Sequence, residues 1–218
     1  MTTLLTPPLS DMLPRLFADA AANDPATLSA LPPDERKRLM TSETEYRSLF
    51  ARVNNAYLAV SEDTGKLLYT LARASNARTI IEFGTSFGIS TLHLAAALRD
   101  NGGGRLITTE FETGKVARAQ ENIAAAGLTD LVEIRVGDAL TTLDQDLPDT
   151  IDFVFMDGAK PLYPRVLSLL ESRLRAGALL VADNAGWSTE YLKRVRTSSS
   201  YLSVPLANDV ELTMKLQP

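Results

Sequence analysis

From Ala77 onward the chain alternates short apolar runs with amphipathic segments, and no other feature restricts the fold as much. The runs are 79–83 (TIIEF), 105–110 (RLITTE), 131–136 (LVEIRV), 151–156 (IDFVFM) and 178–182 (ALLVA). Helical periodicity falls between them, near 89–100, 114–126, 161–174 and 188–196. A strand that is apolar along most of its length is covered on both faces, as in a parallel sheet flanked by helices. Five such strands separated by helices predict a doubly wound, Rossmann-like α/β sheet. The segments 200–206 and 210–216 are also strand-like and flank Asn208-Asp209, good turn chemistry. They predict a C-terminal antiparallel hairpin at the sheet edge, for seven strands, mostly parallel.

Residues 1–75 have a different character. Pro7, Pro8, Pro14, Pro25, Pro32 and Pro33 all precede position 34, which predicts short helices broken by turns. Between Thr44 and Ser75, the residues Leu49, Val53, Tyr57 and Val60, then Leu67, Leu68 and Leu71, follow a helical period. Gly65 is expected to separate two helices there. The pattern predicts a helical N-terminal extension over 1–75, too small to stand alone and packed on a main domain over 76–218.

Composition narrows the chemistry. The chain has no cysteine and one histidine, His93, read as structural; thiolate sites and multi-histidine zinc sites are excluded. A net charge of −5 disfavours a nucleic-acid partner. The N-terminus lacks the basic start and apolar core of a signal peptide, and no apolar stretch approaches the roughly 20 residues of a membrane span, so a cytoplasmic location without membrane contact is expected. Carboxylates, amides and lysines are left to carry any catalysis.

The most informative stretch is Glu82-Phe83-Gly84-Thr85-Ser86-Phe87-Gly88-Ile89-Ser90. A strand ends, a small-residue loop follows, and a helix opens with free N–H groups for a ligand. The spacing is G-x-x-x-G, not the G-x-G-x-x-G of a dinucleotide loop, and Ser86 stands where the glycine that admits a pyrophosphate would be. Glu110 ends the second strand, placed either to accept ribose hydroxyls or to cap the next helix. Asp138-Ala139 follows the third strand, where an adenine edge would lie.

A second cluster ends the fourth and fifth strands: Asp157-Gly158-Ala159-Lys160 and Asp183-Asn184. If those strands are neighbours, Asp157, Asp183 and Asn184 present oxygen donors to one point, a set suited to Mg²⁺, Mn²⁺ or Ca²⁺. Both aspartates are equally placed to be helix N-caps. Lys160 is a candidate general base, or a surface lysine paired with one of these acids. Trp187, the only tryptophan, either walls a substrate pocket or belongs to the core.

With these motifs in this order, the chain resembles class I S-adenosylmethionine-dependent O-methyltransferases. It is most similar to the cation-dependent group that contains catechol and caffeoyl-CoA O-methyltransferases and their small bacterial relatives. The resemblance runs from about Leu58 to the C-terminus and makes 76–218 a cofactor-binding methyltransferase domain. It implies that Val60, Glu82, Gly84, Thr85, Ser86, Ser90, Glu110, Asp138, Ala139 and Asp157 contact S-adenosylmethionine. It further implies that Asp157, Asp183 and Asn184 bind a divalent cation, most readily Mg²⁺, that Lys160 is the catalytic base, and that Trp187 meets a small aromatic hydroxyl substrate. A homodimer is expected because relatives often pair. The family's variable substrate loop is trimmed here. An NAD(P)-dependent reductase and a non-catalytic cofactor-binding protein are the competing readings.

Overall fold

The apolar runs fold as strands β1 (Thr79–Phe83), β2 (Arg105–Glu110), β3 (Val132–Val136), β4 (Ile151–Met156) and β5 (Leu174–Ala182), followed by β6 (Tyr201–Pro205) and β7 (Glu211–Lys215). The computed structural model describes residues 2–217. Among these, the strands form one seven-stranded sheet ordered β3-β2-β1-β4-β5-β7-β6. The first five are parallel; β7 pairs antiparallel with β5 and with β6. The hairpin turn uses Asn208 and Asp209, both at positive φ. Strand order reverses between β1 and β4, where open α/β sheets form a ligand crevice beyond their carboxyl ends.

Helices α1 (Leu9–Ser29), α2 (Pro33–Met40), α3 (Tyr46–Arg52) and α4 (Glu62–Ala74) precede the sheet. Helices α5 (Ile89–Asp100), α6 (Thr113–Ala125), α7 (Ala139–Thr142), α8 (Tyr163–Leu170) and α9 (Thr189–Thr197) alternate with its strands. Strand side chains alternate between two cores. Ile80, Leu106, Phe153, Phe155 and Val181 pack with α1, α4, α5 and α6. Ile81, Phe83, Ile107, Val154, Met156 and Leu180 pack with α7, α8 and α9. A smaller cluster of Leu31, Leu39, Leu49, Val53 and Ala56 joins α2 to α3.

Two expectations for the N-terminal part are corrected. The first prolines do not break the chain into short helices, because α1 runs 21 residues with Pro14 and Pro25 inside it. Leu9 and Leu13 are buried in the main core, with Met12, Leu16 and Phe17 packed against it, and this burial outweighs the lost backbone hydrogen bonds. Gly65 is no break either; it lies in the first turn of α4, which Ser61 caps by accepting the Thr64 N–H at 3.0 Å. Glycine is needed for proximity: a Cβ there would sit 2.7 Å from Cε1 of the buried His93 ring. The interruption falls earlier, between Val53 and Ser61. Among later elements, β5 begins at Leu174, four residues before its apolar run. α8 stops at Leu170, and a 3-10 turn over Glu171–Arg173 leads into β5.

No helix is long and apolar enough to cross a membrane among the described residues.

Candidate active site

Five consecutive strand-to-helix junctions converge at the carboxyl edge of the sheet. At the tip of β1, Gly84 takes φ +107° and lies so close to β4 that a Cβ would stand 2.8 Å from the Asp157 carbonyl oxygen. Thr85 N–H donates to the Thr109 carbonyl at 3.1 Å, tying the loop to the end of β2. Ser86 follows at φ +48°. Its N–H donates to Glu110 Oε2 at 2.9 Å, and its hydroxyl donates to the Tyr57 carbonyl. Glu110 accepts two further backbone N–H bonds, from Phe111 and Glu112, both 3.0 Å. Burial pushes the Glu110 carboxyl up, while the nearby Lys115 charge and these N–H groups pull it back.

Gly84, Thr85, Ser86 and Glu110 line a cavity with Val60, Ser90, Asp138, Ala139 and Asp157. Glu82 is the exception. Strand alternation turns its side chain away from the cavity, beneath the first turn of α5, where it is fully buried. Its carboxylate accepts Ser90 Oγ at 2.6 Å and Thr91 Oγ1 at 2.5 Å. Burial raises its pKa to about 7 against the pull of these hydroxyls. Unlike the other expected cofactor contacts, Glu82 does not line the cavity; it anchors the helix that carries Ser90.

The cavity also has a wall that local sequence motifs did not indicate. Tyr46, Arg47 and Phe50 of α3 close it over Asp138, with Phe111 opposite Phe50 in an edge-on ring contact, centroids 6.0 Å apart. Tyr46 Oη donates to Asp138 Oδ2 at 2.7 Å, and Arg47 pairs with the same oxygen. Burial alone would raise the Asp138 carboxyl; the bonds from Tyr46 and Arg47 outweigh it and hold the group below its usual range. Asp24 of α1 braces the same wall, accepting the N–H groups of Tyr57 and Leu58 at 2.7 and 2.8 Å. Lys115, buried at the start of α6, completes the lining.

A second cavity, of about 710 Å³, opens beside the first. Asp157, Lys160, Asp183, Asn184 and Trp187 all line it, so the pairing of β4 with β5 brings the second cluster together. Lys160 Nζ donates to Asp157 Oδ1 at 2.6 Å, and both residues are nearly buried. Asp183 has no cationic side chain within ion-pair distance among the described residues. Burial and the neighbouring Asp157 push its carboxyl up to about 7. Asn184 is held in the left-handed region at φ 49°. The hairpin supports this loop, since Asp209 accepts the Gly186 N–H at 2.9 Å through its side chain and the Ala185 N–H at 2.9 Å through its carbonyl. Trp187 is 40% exposed at the cavity, not core. The far wall is apolar, with Leu28, Met40, Leu49, Phe50 and Val53, and carries Arg36 and Lys37.

Among the described residues, no group of three or more His, Cys, Asp or Glu side chains is placed to hold a metal. The candidate donors are two carboxylates and one amide, an all-oxygen set that suits a hard divalent cation and no soft one.

The family model described as O-methyltransferase matches residues 36–213, reaching back through α3 into α2, beyond the Leu58 start of the resemblance. A catechol O-methyltransferase of Niastella koreensis is 42% identical over 130 residues, 58% of each chain. Catechol O-methyltransferase B of Danio rerio is 33% identical over 172 residues, 75% of this chain and 64% of that one. The chain thus spans about six-tenths of the length of the curated relatives it matches. Among solved structures, an O-methyltransferase of Streptomyces achromogenes involved in tomaymycin synthesis, in complex with S-adenosylmethionine, superposes with a TM-score of 0.66 at 29% identity, covering 89% of this chain and 96% of that one. The fold is shared also with an O-methyltransferase of Bacillus cereus, TM-score 0.67 at 24% identity, covering 89% and 97%. By the extent of the family match and the identity to these relatives, the chain belongs to the O-methyltransferase family.

Proposed function

We propose that this chain transfers a methyl group from S-adenosylmethionine to a hydroxyl of a small catechol-like acceptor, with a divalent cation, Mg²⁺ in the first place and Mn²⁺ or Ca²⁺ next, at the acceptor. The reading rests above all on the meeting of the two cavities: Asp157, Gly158 and Ala159 line both, as do Leu58, Ala59 and Val60. Methyl transfer requires a cofactor and an acceptor held end to end across such a junction.

The residues of the first cavity fit the cofactor. Gly84 lets the loop pack directly against the Asp157 backbone at the cavity's floor, and the buried Thr109 Oγ1 on the wall has no partner among the described residues. Gly84, Thr85, Ser86 and Ser90 are assigned to its methionine half, Glu110 to the ribose, Asp138 and Ala139 to the adenine, with Val60 and Asp157 beside the reacting end. The bound cofactor supplies a methyl group on a positively charged sulfur. The second cavity's donors fit a cation: Asp157, Asp183 and Asn184 would hold it, and it would acidify a hydroxyl bound beside it.

The chain's own groups then act in sequence. Trp187 and the apolar wall orient the aromatic ring and exclude water. Lys160, as the free amine when a cation takes its place on Asp157, accepts the hydroxyl proton at Nζ, and the freed oxygen would take the methyl group while the sulfur keeps the bonding pair as a neutral thioether. Because the nucleotide loop lacks the glycine that admits a pyrophosphate, the reductase reading explains neither Ser86 nor the Asp183-Asn184 pair. Pairing of two copies is supported by Leu202, Val204, Met214 and Leu216, exposed on one face of the β6–β7 hairpin.

Methyl-transfer assays on 3,4-dihydroxy aromatics and on the matching monophenols test the proposal. Methylation confined to the dihydroxy acceptors is expected. Equal rates on the monophenols, or none on either series, would overturn the acceptor assignment.

A further inference from the structure

Lys115 occupies a position that opposes a lysine on three counts. The residue is 2% exposed, and an ammonium taken out of water needs a partner. It is the third residue of α6, where the helix macrodipole already places positive charge. Among the described residues only one of its three N–H groups is used, donating to Ser86 Oγ at 3.1 Å, with the Phe87 ring centroid 5.6 Å away.

The surrounding acids do not relieve it. No carboxylate lies within ion-pair distance of Nζ among the described residues. Glu110 is committed to the N–H groups of Ser86, Phe111 and Glu112, and Asp24 to those of Tyr57 and Leu58. Asp157 is bonded to Lys160. Burial lowers the Lys115 ammonium's pKa even against the attraction of Glu110, Asp24, Glu112 and Asp157. A buried cation with spare donors therefore faces the cavity, anchored to the loop through Ser86, which itself holds the Tyr57 carbonyl.

We propose that Lys115 is the anion-binding position of the first cavity and takes the α-carboxylate of S-adenosylmethionine. The inference rests on the cofactor assigned above. That carboxylate is the cofactor's only anionic group: the α-ammonium and the sulfonium are cationic, and the ribose and adenine are neutral. A buried charge-assisted bond between ammonium and carboxylate is of the stronger kind. If Lys115 served only to hold Glu110 in place, its loss would act through the ribose and not distinguish ligands by their carboxylate.

Calorimetric titration with S-adenosylhomocysteine and with its decarboxylated analogue, which keeps the ammonium, separates these roles. The wild-type chain is expected to bind the carboxylate-bearing ligand about tenfold tighter or more. Lys115→Met should abolish that ratio while leaving affinity for the decarboxylated ligand within about twofold, and Lys115→Arg should restore most of it. Equal wild-type affinities for the two ligands would overturn the proposal, as would an equal loss for both in Lys115→Met. Should Lys115→Met not fold, Lys115→Gln, which keeps a polar head without the charge, is expected to lose most of the ratio, and an unchanged ratio in it overturns the proposal. A wild-type chain that binds neither ligand overturns the cofactor assignment and this inference with it.

Discussion

Tyr46 reaches across 92 residues of chain to donate its hydroxyl to the Asp138 carboxylate at 2.7 Å, so a helix outside the alternating α/β pattern closes the cavity assigned to the adenine. Arg47 shares the same oxygen but is largely exposed, and its pair is worth little by itself. Tyr46→Phe removes the better buried bond and leaves the ring in place. The expected result is a cofactor dissociation constant raised about three- to tenfold, with little change in fold. Calorimetry with S-adenosylhomocysteine checks this, and an unchanged constant would mean that α3 does not form the wall in solution.

Lys160 is the only lysine lining the second cavity besides Lys37 on its far wall, and it already contacts Asp157. Lys160→Met keeps the length of the side chain and removes proton acceptance. Turnover should fall by about two orders of magnitude or more while cofactor affinity changes modestly. A variant with wild-type turnover would remove Lys160 from the proton path.

Glu82 sets a pH dependence of stability whose sign is fixed by its environment. Its carboxyl titrates near 7 in the folded chain against 4.5 as the reference value, because burial disfavours the charge. The folded state therefore holds the proton more tightly, and this group's contribution to stability is lost as pH rises from about 4.5 to 7. The loss is on the order of 3 kcal/mol. Glu82→Gln cannot ionise, so its unfolding free energy should lack this decline. Denaturant titrations of both proteins between pH 4.5 and 8 measure the difference; parallel curves would contradict the assignment.

Gly65 and His93 are packed so closely that a side chain at 65 has no room. His93 is fixed by a 2.8 Å contact from Nδ1 to the Ile89 carbonyl and cannot simply move aside. Gly65→Ala should destabilise the chain by about 1–3 kcal/mol, or several degrees in Tm. In a His93→Ala background the same substitution should cost much less. Additive effects in the double mutant would show that the two positions do not clash.

The alternating part of the chain was largely legible. The apolar runs at 79–83, 105–110 and 151–156 match β1, β2 and β4 residue for residue, because central parallel strands are bounded sharply by loops. The strand-end motifs could be collected for the same reason, since a parallel sheet brings successive carboxyl ends to one edge. The face that Glu82 takes was not legible from its nearness to the loop, because period-two alternation decides the face of each strand residue. The N-terminal helices were least legible. Pro14 and Pro25 signal breaks locally, while burial of α1 against α5 is a tertiary effect. Nothing in the local sequence links Tyr46 to Asp138 or Asp24 to Tyr57. Lys115 did carry a signal, a lysine in the first turn of an amphipathic helix, where the dipole favours acids.

The central claim is that a hydroxyl is methylated at the junction of the two cavities with help from a cation on Asp157, Asp183 and Asn184. Its most direct test is methyl transfer from S-adenosylmethionine to a 3,4-dihydroxy aromatic, followed by mass spectrometry with added Mg²⁺ and with EDTA. A mono-methylated product that forms with Mg²⁺ and disappears with EDTA is the predicted result. Product formation at the same rate in EDTA would contradict the cation's role, and no product under either condition would contradict the proposed reaction.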